Sequence, residues 1–162
     1  MYKATIQTPI GFIQLCADDQ ALTSATFVEH YPDQTNNPNL LLEEAEAQLL
    51  AYLSGKLNVF DIPIAPRGSS FQNSVWNELL KIKYGDTRSY LEMAIALGDK
   101  KCIRAAAAAN GKNPISIIIP CHRVIGSNGQ LIGYAGGLWR KKWLLLHERS
   151  LSNSPSQYSL FP

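Results

Sequence analysis

The chain has 162 residues, 46% hydrophobic and 17% charged, which supplies enough apolar material for a buried core and excludes disorder throughout. No apolar run reaches the roughly 18 residues of a membrane span, the start Met1-Tyr2-Lys3-Ala4-Thr5 lacks the order of a signal peptide, and three cysteines without paired spacing (Cys16, Cys102, Cys121) exclude a disulfide framework, so a soluble, cytoplasmic protein with reduced thiols is expected. The net charge of +2 hides an asymmetry: residues 1–66 hold two Lys/Arg against eight Asp/Glu, whereas residues 67–162 hold thirteen against five, and a basic half of this kind suits a polyanion such as nucleic acid as well as plain solvation.

In chain order, Tyr2–Thr8, Gly11–Ala17 and Leu22–Glu29 are rich in strand formers and separated by turn chemistry at Pro9-Ile10-Gly11 and Asp18-Asp19-Gln20, which predicts an antiparallel sheet. Asn37-Pro38 reads as an N-cap with proline in the first helical position, and Leu42, Ala45, Leu49 and Leu53 recur at helical spacing until Gly55. The prolines of 61–68 break the pattern where the charge changes sign, so that segment is read as a linker between a domain over 1–60 and one over 69–149.

Ser69 with Gln72, and Ser89 with Glu92, fit capping boxes opening two helices, the first carrying the apolar stripe Phe71, Val75, Trp76, Leu79 and Leu80. Gly98-Asp99-Lys100 is a turn and a further helix runs from about Lys101 to Asn110, giving the order of a helix-turn-helix. Its run Arg104 followed by Ala105–Ala109 has no polar side chain to read base edges. It fits two readings equally: alanines packed in a core, or a smooth face that approaches a duplex closely with Arg104 as its one long side chain. Ile115–Ile119 is β-branched and predicts a buried strand that ends at Pro120-Cys121. Asn128-Gly129 reads as a hairpin turn, 133–137 as a mobile loop, Leu138–Arg149 as a last helix and 150–162 as a flexible tail. The whole is an α+β chain with its sheet first and its helices later.

A free cysteine is ordinarily a small core residue, and Cys16 and Cys102 read that way. Cys121 stands beside His122 and Arg123, group types that lower a thiol pKa or take its proton, and the thiolate is the nucleophile. On an extended segment neighbouring side chains point oppositely, so a bridging water or a bend between Cys121 and His122 is expected, with either His147 or Glu148 orienting the base. A cysteine hydrolase and a binding-only regulator or lesion sensor are the rival readings.

The run Ile119-Pro120-Cys121-His122-Arg123-Val124-Ile125 resembles the active-site signature of the O6-alkylguanine-DNA alkyltransferases, the methylated-DNA–protein-cysteine methyltransferases. Phe71-Gln72, Val75-Trp76, Tyr84-Gly85, Ser89-Tyr90, Arg104-Ala105, Asn113-Pro114, Gly133-Tyr134, Gly136-Gly137, Lys141 and Leu144-Leu145 to His147-Glu148 follow in that family's order. The resemblance implies a ribonuclease H-like N-terminal domain, a winged-helix type of helix-turn-helix, and a stand-alone single-use transferase. Its implied catalytic set is Cys121 as alkyl acceptor, His122 as base through a water, Glu148 as its orienter and Asn113 as a brace. It implies DNA contacts by Tyr90, Arg104, Ala105, Arg123 and Lys141, and an alkylguanine pocket of Tyr90, Val124, Tyr134, Ala135 and Gly136. The expected partner is duplex DNA with O6-alkylguanine, met by a monomer without metal or organic cofactor; O4-alkylthymine stays open as a second substrate. Cys16 and His30 fall short of a zinc ligand set. The tail peptide Gln157-Tyr158-Ser159-Leu160-Phe161 resembles the motif that binds the bacterial DNA sliding clamp, with Gln157, Ser159, Leu160 and Phe161 as its contacts and the flexible spacer before it giving reach.

Overall fold

The computed structural model describes residues 1–32 and 36–151; the tail peptide 157–161 lies outside them. The described chain divides into two compact units, Met1–Arg67 with Pro114–Ile118, and Gly68–Asn113 with residues 119–151.

In the N-terminal unit, strands β1 (Tyr2–Thr8), β2 (Gly11–Ala17) and β3 (Leu22–Val28) form an antiparallel sheet in sequence order. The β1–β2 turn is tied by Thr8, whose hydroxyl donates to the Gly11 carbonyl at 2.6 Å. The β2–β3 turn is tied by Asp18, whose carboxylate accepts from the Gln20 and Ala21 amides. Alternation sends Ile13, Leu15 and Ala17 of β2 inward. Helix α1 (Leu40–Leu53) buries Leu42, Ala45, Leu49 and Leu53, the stripe expected from their spacing, together with Tyr52. Its cap is Asn39, whose side chain accepts from the Leu42 amide at 3.0 Å. The expected cap, Asn37, is instead bridged to Lys3 at the sheet edge, its amide donating to the Lys3 carbonyl at 2.9 Å, so extended backbone there delays the helix by two residues.

Part of the expected linker is also structured, since Ile64 bridges Leu22 in parallel. The expected strand 115–119 is not one. Ile115 alone bridges Ala25, and the Ile118 amide then donates to Ser116 across Ile117, whose φ of 72° makes it the one non-glycine residue with positive φ among those described. That is the strained γ-turn geometry, rare for a β-branched residue.

In the C-terminal unit, α2 (Ser70–Leu79) and α3 (Tyr90–Ala96) open with the two capping boxes expected. Trp76 is buried and its indole N–H donates to the Ala109 carbonyl at 2.9 Å. Gly68 sits where a Cβ would collide with that ring. A 3-10 turn (Lys100–Cys102) leads into α4 (Ile103–Gly111), so the predicted third helix begins with a tighter turn. Two residues on each side, β4 (Arg88–Ser89) and β5 (Val124–Ile125), pair in parallel. Gly126–Gln130 makes a turn closed by the Gly126 amide on the Gln130 carbonyl, but no ladder flanks it among the described residues, so the hairpin expected at Asn128-Gly129 is a loop. Helix α5 (Leu138–Leu151) buries Leu144 and Leu145.

Candidate active site

Cys121 is delivered by turns. The Cys121 amide donates back to the Ile119 carbonyl at 2.8 Å across Pro120, whose φ of −83° and ψ of 62° are those of an inverse γ-turn that the proline ring favours. Residues Cys121–Arg123 then coil into a 3-10 turn, the bend that lets adjacent side chains serve one site. Two asparagines fix this segment, one in the last turn of α4 and one just beyond it: Asn113 Nδ2 donates to the Ile119 carbonyl at 2.8 Å, and Asn110 Nδ2 to the Cys121 carbonyl at 3.4 Å. The thiol is 4% exposed. Burial pushes its pKa up, while a hydrogen bond from Asn113, the Lys141 charge and the backbone amides of Cys121 and His122 pull it down; the net is a rise. At rest it holds its proton and needs a base.

The next residue in the chain is the candidate base. His122 is wholly buried, and its Nε2 lies 2.8 Å from Glu148 Oε1. Burial disfavours the Glu148 charge, but His122 and Arg123 overcome this and hold the carboxyl well below its usual range, so it stays ionised. Arg123 grips it through Nε and Nη2, at 3.0 Å and 2.8 Å, and spends Nη1 on the Ile82 carbonyl, while the Gly85 amide also donates to Oε2. An ionised carboxylate accepts, so the network assigns the imidazole proton to Nε2 and leaves Nδ1 as the lone pair. Nδ1 is buried with no hydrogen-bond partner among the described residues. Burial lowers the His122 pKa even against the pull of Glu148, which keeps the ring neutral. A thiol followed in the chain by a neutral imidazole, itself oriented by a carboxylate, carries the groups that an activated nucleophile needs.

Over Cys121 lies a cavity of about 80 Å³ lined by Tyr90, Ala107, Asn110, Tyr134 and Ala135 among others. Tyr90 donates its hydroxyl to the Ile132 carbonyl at 2.9 Å, and burial raises its pKa to about 12. Lys141 is also wholly buried. Its ammonium donates to the Ile132 and Gly133 carbonyls at 3.0 and 3.1 Å, and burial brings its pKa down to about 8.

The structure thus brings together Cys121, His122, Glu148 and Asn113, and puts Tyr90, Tyr134 and Ala135 at the cavity. Val124 is buried in β5 and Gly136 accepts from Arg140; neither lines the cavity. Arg104 and Ala105 are exposed on α4, while Ala106, Ala109 and Asn110 are buried, so the alanine run serves a face and a core at once. Arg123 and Lys141, expected on the DNA face, are internal: one is locked to Glu148 and the other to loop carbonyls. Of the two candidate orienters, Glu148 holds the base, and His147 stacks on Trp143. Asn110 and Ile132 were not singled out from sequence. Asn110 had a legible signal, a polar residue in the spacing of the buried stripe Ala106, Ala109 and Asn113; a backbone carbonyl such as that of Ile132 has none. No group of three or more His, Cys, Asp or Glu able to hold a metal occurs among the described residues.

A helix-turn-helix unit with a buried Cys–His–Glu array defines a class of protein in which a DNA-binding scaffold carries a nucleophilic thiol. Residues 70–150 match the DNA binding domain of 6-O-methylguanine DNA methyltransferase, and residues 1–66 its ribonuclease-like domain. A methylated-DNA–protein-cysteine methyltransferase of Methanosarcina acetivorans is 46% identical across 93% of this chain and 99% of its own. One from Mycolicibacterium paratuberculosis is 46% identical across 97% and 96%. The crystal structure of Mycobacterium tuberculosis OGT in complex with DNA superposes with a TM-score of 0.85, 44% identity and coverage of 94% and 95%. The chain belongs to the methylated-DNA–protein-cysteine methyltransferase family.

Proposed function

We propose that this chain repairs alkylated DNA by moving the alkyl group of O6-alkylguanine onto Cys121. The observation that carries the reading is the lone pair of His122 Nδ1, buried and without a partner among the described residues, on a ring whose other nitrogen is tied to Glu148 beside the only thiol at the cavity. One water between Nδ1 and the thiol passes the Cys121 proton to His122. The thiolate attacks the alkyl carbon in line, the C–O6 bond breaks, and its electron pair stays with guanine, which takes up a proton as it leaves. A thioether remains. Nothing in the site reverses it, so one molecule repairs one lesion, acting as a monomer in the cytoplasm.

A target atom inside a duplex must be brought out to meet a buried thiol. The exposed side of α4 supports that step, because Ala105 and Ala108 let its backbone approach closely while Arg104 reaches into the space the nucleotide leaves. Tyr90 then donates toward the base. The test is to incubate the protein with duplex DNA containing O6-methylguanine and weigh the intact chain. One added methyl on Cys121, absent in Cys121→Ser, is expected; unchanged mass with tight binding would make the protein a lesion sensor instead.

The tail reading is separate. Gln157, Ser159, Leu160 and Phe161 are proposed to dock in the bacterial sliding clamp, and clamp pull-down undiminished by deletion of residues 157–162 would end that proposal.

A further inference from the structure

The Ile132 carbonyl accepts from two donors on different elements, the Tyr90 hydroxyl on α3 at 2.9 Å and the Lys141 ammonium on α5 at 3.0 Å, and Lys141 reaches on to the Gly133 carbonyl at 3.1 Å. A carbonyl has two lone pairs, so both donors are accommodated. The loop is also tied within itself, by the Gly137 amide on the Tyr134 carbonyl at 2.9 Å and by Arg140 on the Gly136 carbonyl at 2.8 Å, but at its tip Ile132 is 51% exposed, Ala135 is exposed, and a Cβ at Gly133, where φ is 59°, would meet nothing. The same loop supplies Gly133, Tyr134 and Ala135 to the cavity wall.

One obstacle to the reaction follows from this arrangement: Tyr90, the group that meets the base in the reading above, already spends its hydroxyl hydrogen bond on the Ile132 carbonyl. Release of that carbonyl by Tyr90 removes it.

We infer that Tyr90, Ile132 and Lys141 form a latch that keeps the loop over Cys121 until a base arrives, and that Lys141 is the positioning residue that retains the loop through Ile132 and Gly133 after Tyr90 has turned to the base. The inference deepens the proposed function and rests on it for the role of Tyr90. The buried charge of Lys141 also favours the Cys121 thiolate, and this makes its two effects separable. Removing the charge alone slows the thiol; removing the latch exposes it.

The experiment measures alkylation of Cys121 by iodoacetamide at pH 7 without DNA, read on the Cys121 peptide so that Cys16 and Cys102 do not interfere. Lys141→Met loses both charge and latch, and is expected to react about tenfold faster than the wild type because release of two hydrogen bonds from a charged donor outweighs loss of its pull on the thiol. Lys141→Arg, which can donate to the same carbonyls, is expected to return toward the wild-type rate. Tyr90→Phe removes one donor and no charge, so it reacts faster by a smaller factor and decides the matter should Lys141→Met fail to fold. Rates at or below wild type in both Lys141→Met and Tyr90→Phe would overturn the latch. Because DNA is absent, that result is distinct from failure of methyl transfer.

Discussion

The two units bury different kinds of side chain. Among the described residues, the polar groups buried in the N-terminal unit are Thr5, Thr23 and Ser116, and none carries a charge; the C-terminal unit buries Asn110, Asn113, His122, Arg123, Lys141 and Glu148. Taking ions out of water is costly unless each is paired and bonded. The first unit buries apolar and neutral polar groups, and no charge among its described residues. The second accepts desolvated charge, and does so where it poises a thiol and a base. Buried charge therefore marks the chemistry more sharply than overall charge does.

Cutting the charged network is the largest way to break that contrast. Glu148→Ala strands Arg123 and leaves His122 unoriented, so a loss of about 3–5 kcal/mol in stability is expected, measurable by urea unfolding, together with loss of methyl transfer. In the N-terminal unit Leu15→Ala, at a fully buried position, is expected to cost about 2–5 kcal/mol by cavity formation, with an increment that does not change between pH 5 and 10. An increment that varied with pH would refute the division drawn here.

Lys141 gives the next effect. In the folded chain it loses its proton near pH 8, whereas an unfolded lysine keeps it to about 10.4. Across that window the unfolded chain binds more protons, so raising the pH favours the folded state. The stability of the wild type relative to Lys141→Met should accordingly climb between about pH 8 and 10.4, by an amount on the order of 3 kcal/mol. The smallest effect belongs to a surface cap: Ser69→Ala, which breaks a capping box, should lose about 1 kcal/mol with no pH dependence.

Much of this was written in local sequence. The capping boxes at Ser69 and Ser89 name their own helices because the bonds close within three residues. The stripe on α1 was legible for the same reason, although its cap was misplaced, since the competing bridge from Asn37 to Lys3 spans 34 residues. The family signature marked Cys121 and His122. It did not reveal that Ile115–Ile119 abandons the strand its β-branching favours, because a γ-turn at Ile117 is sustained by surroundings rather than by propensity. Nor did it show Arg123 and Lys141 turned inward. A basic residue in a sequence reads as surface, and only the carboxylate and carbonyls that surround it in space can say otherwise.

Asn110, in the last turn of α4, has one more consequence. It holds the carbonyl of Cys121, and six residues earlier on the same helix stands Arg104. Six residues of α-helix span about 9 Å, and a helix neither stretches nor shortens under such loads. On the reading proposed here, α4 acts as a gauge block: one end registers on the duplex, the other on the nucleophile, and the reach from strand to sulfur is set by helical rise rather than by any adjustable side chain.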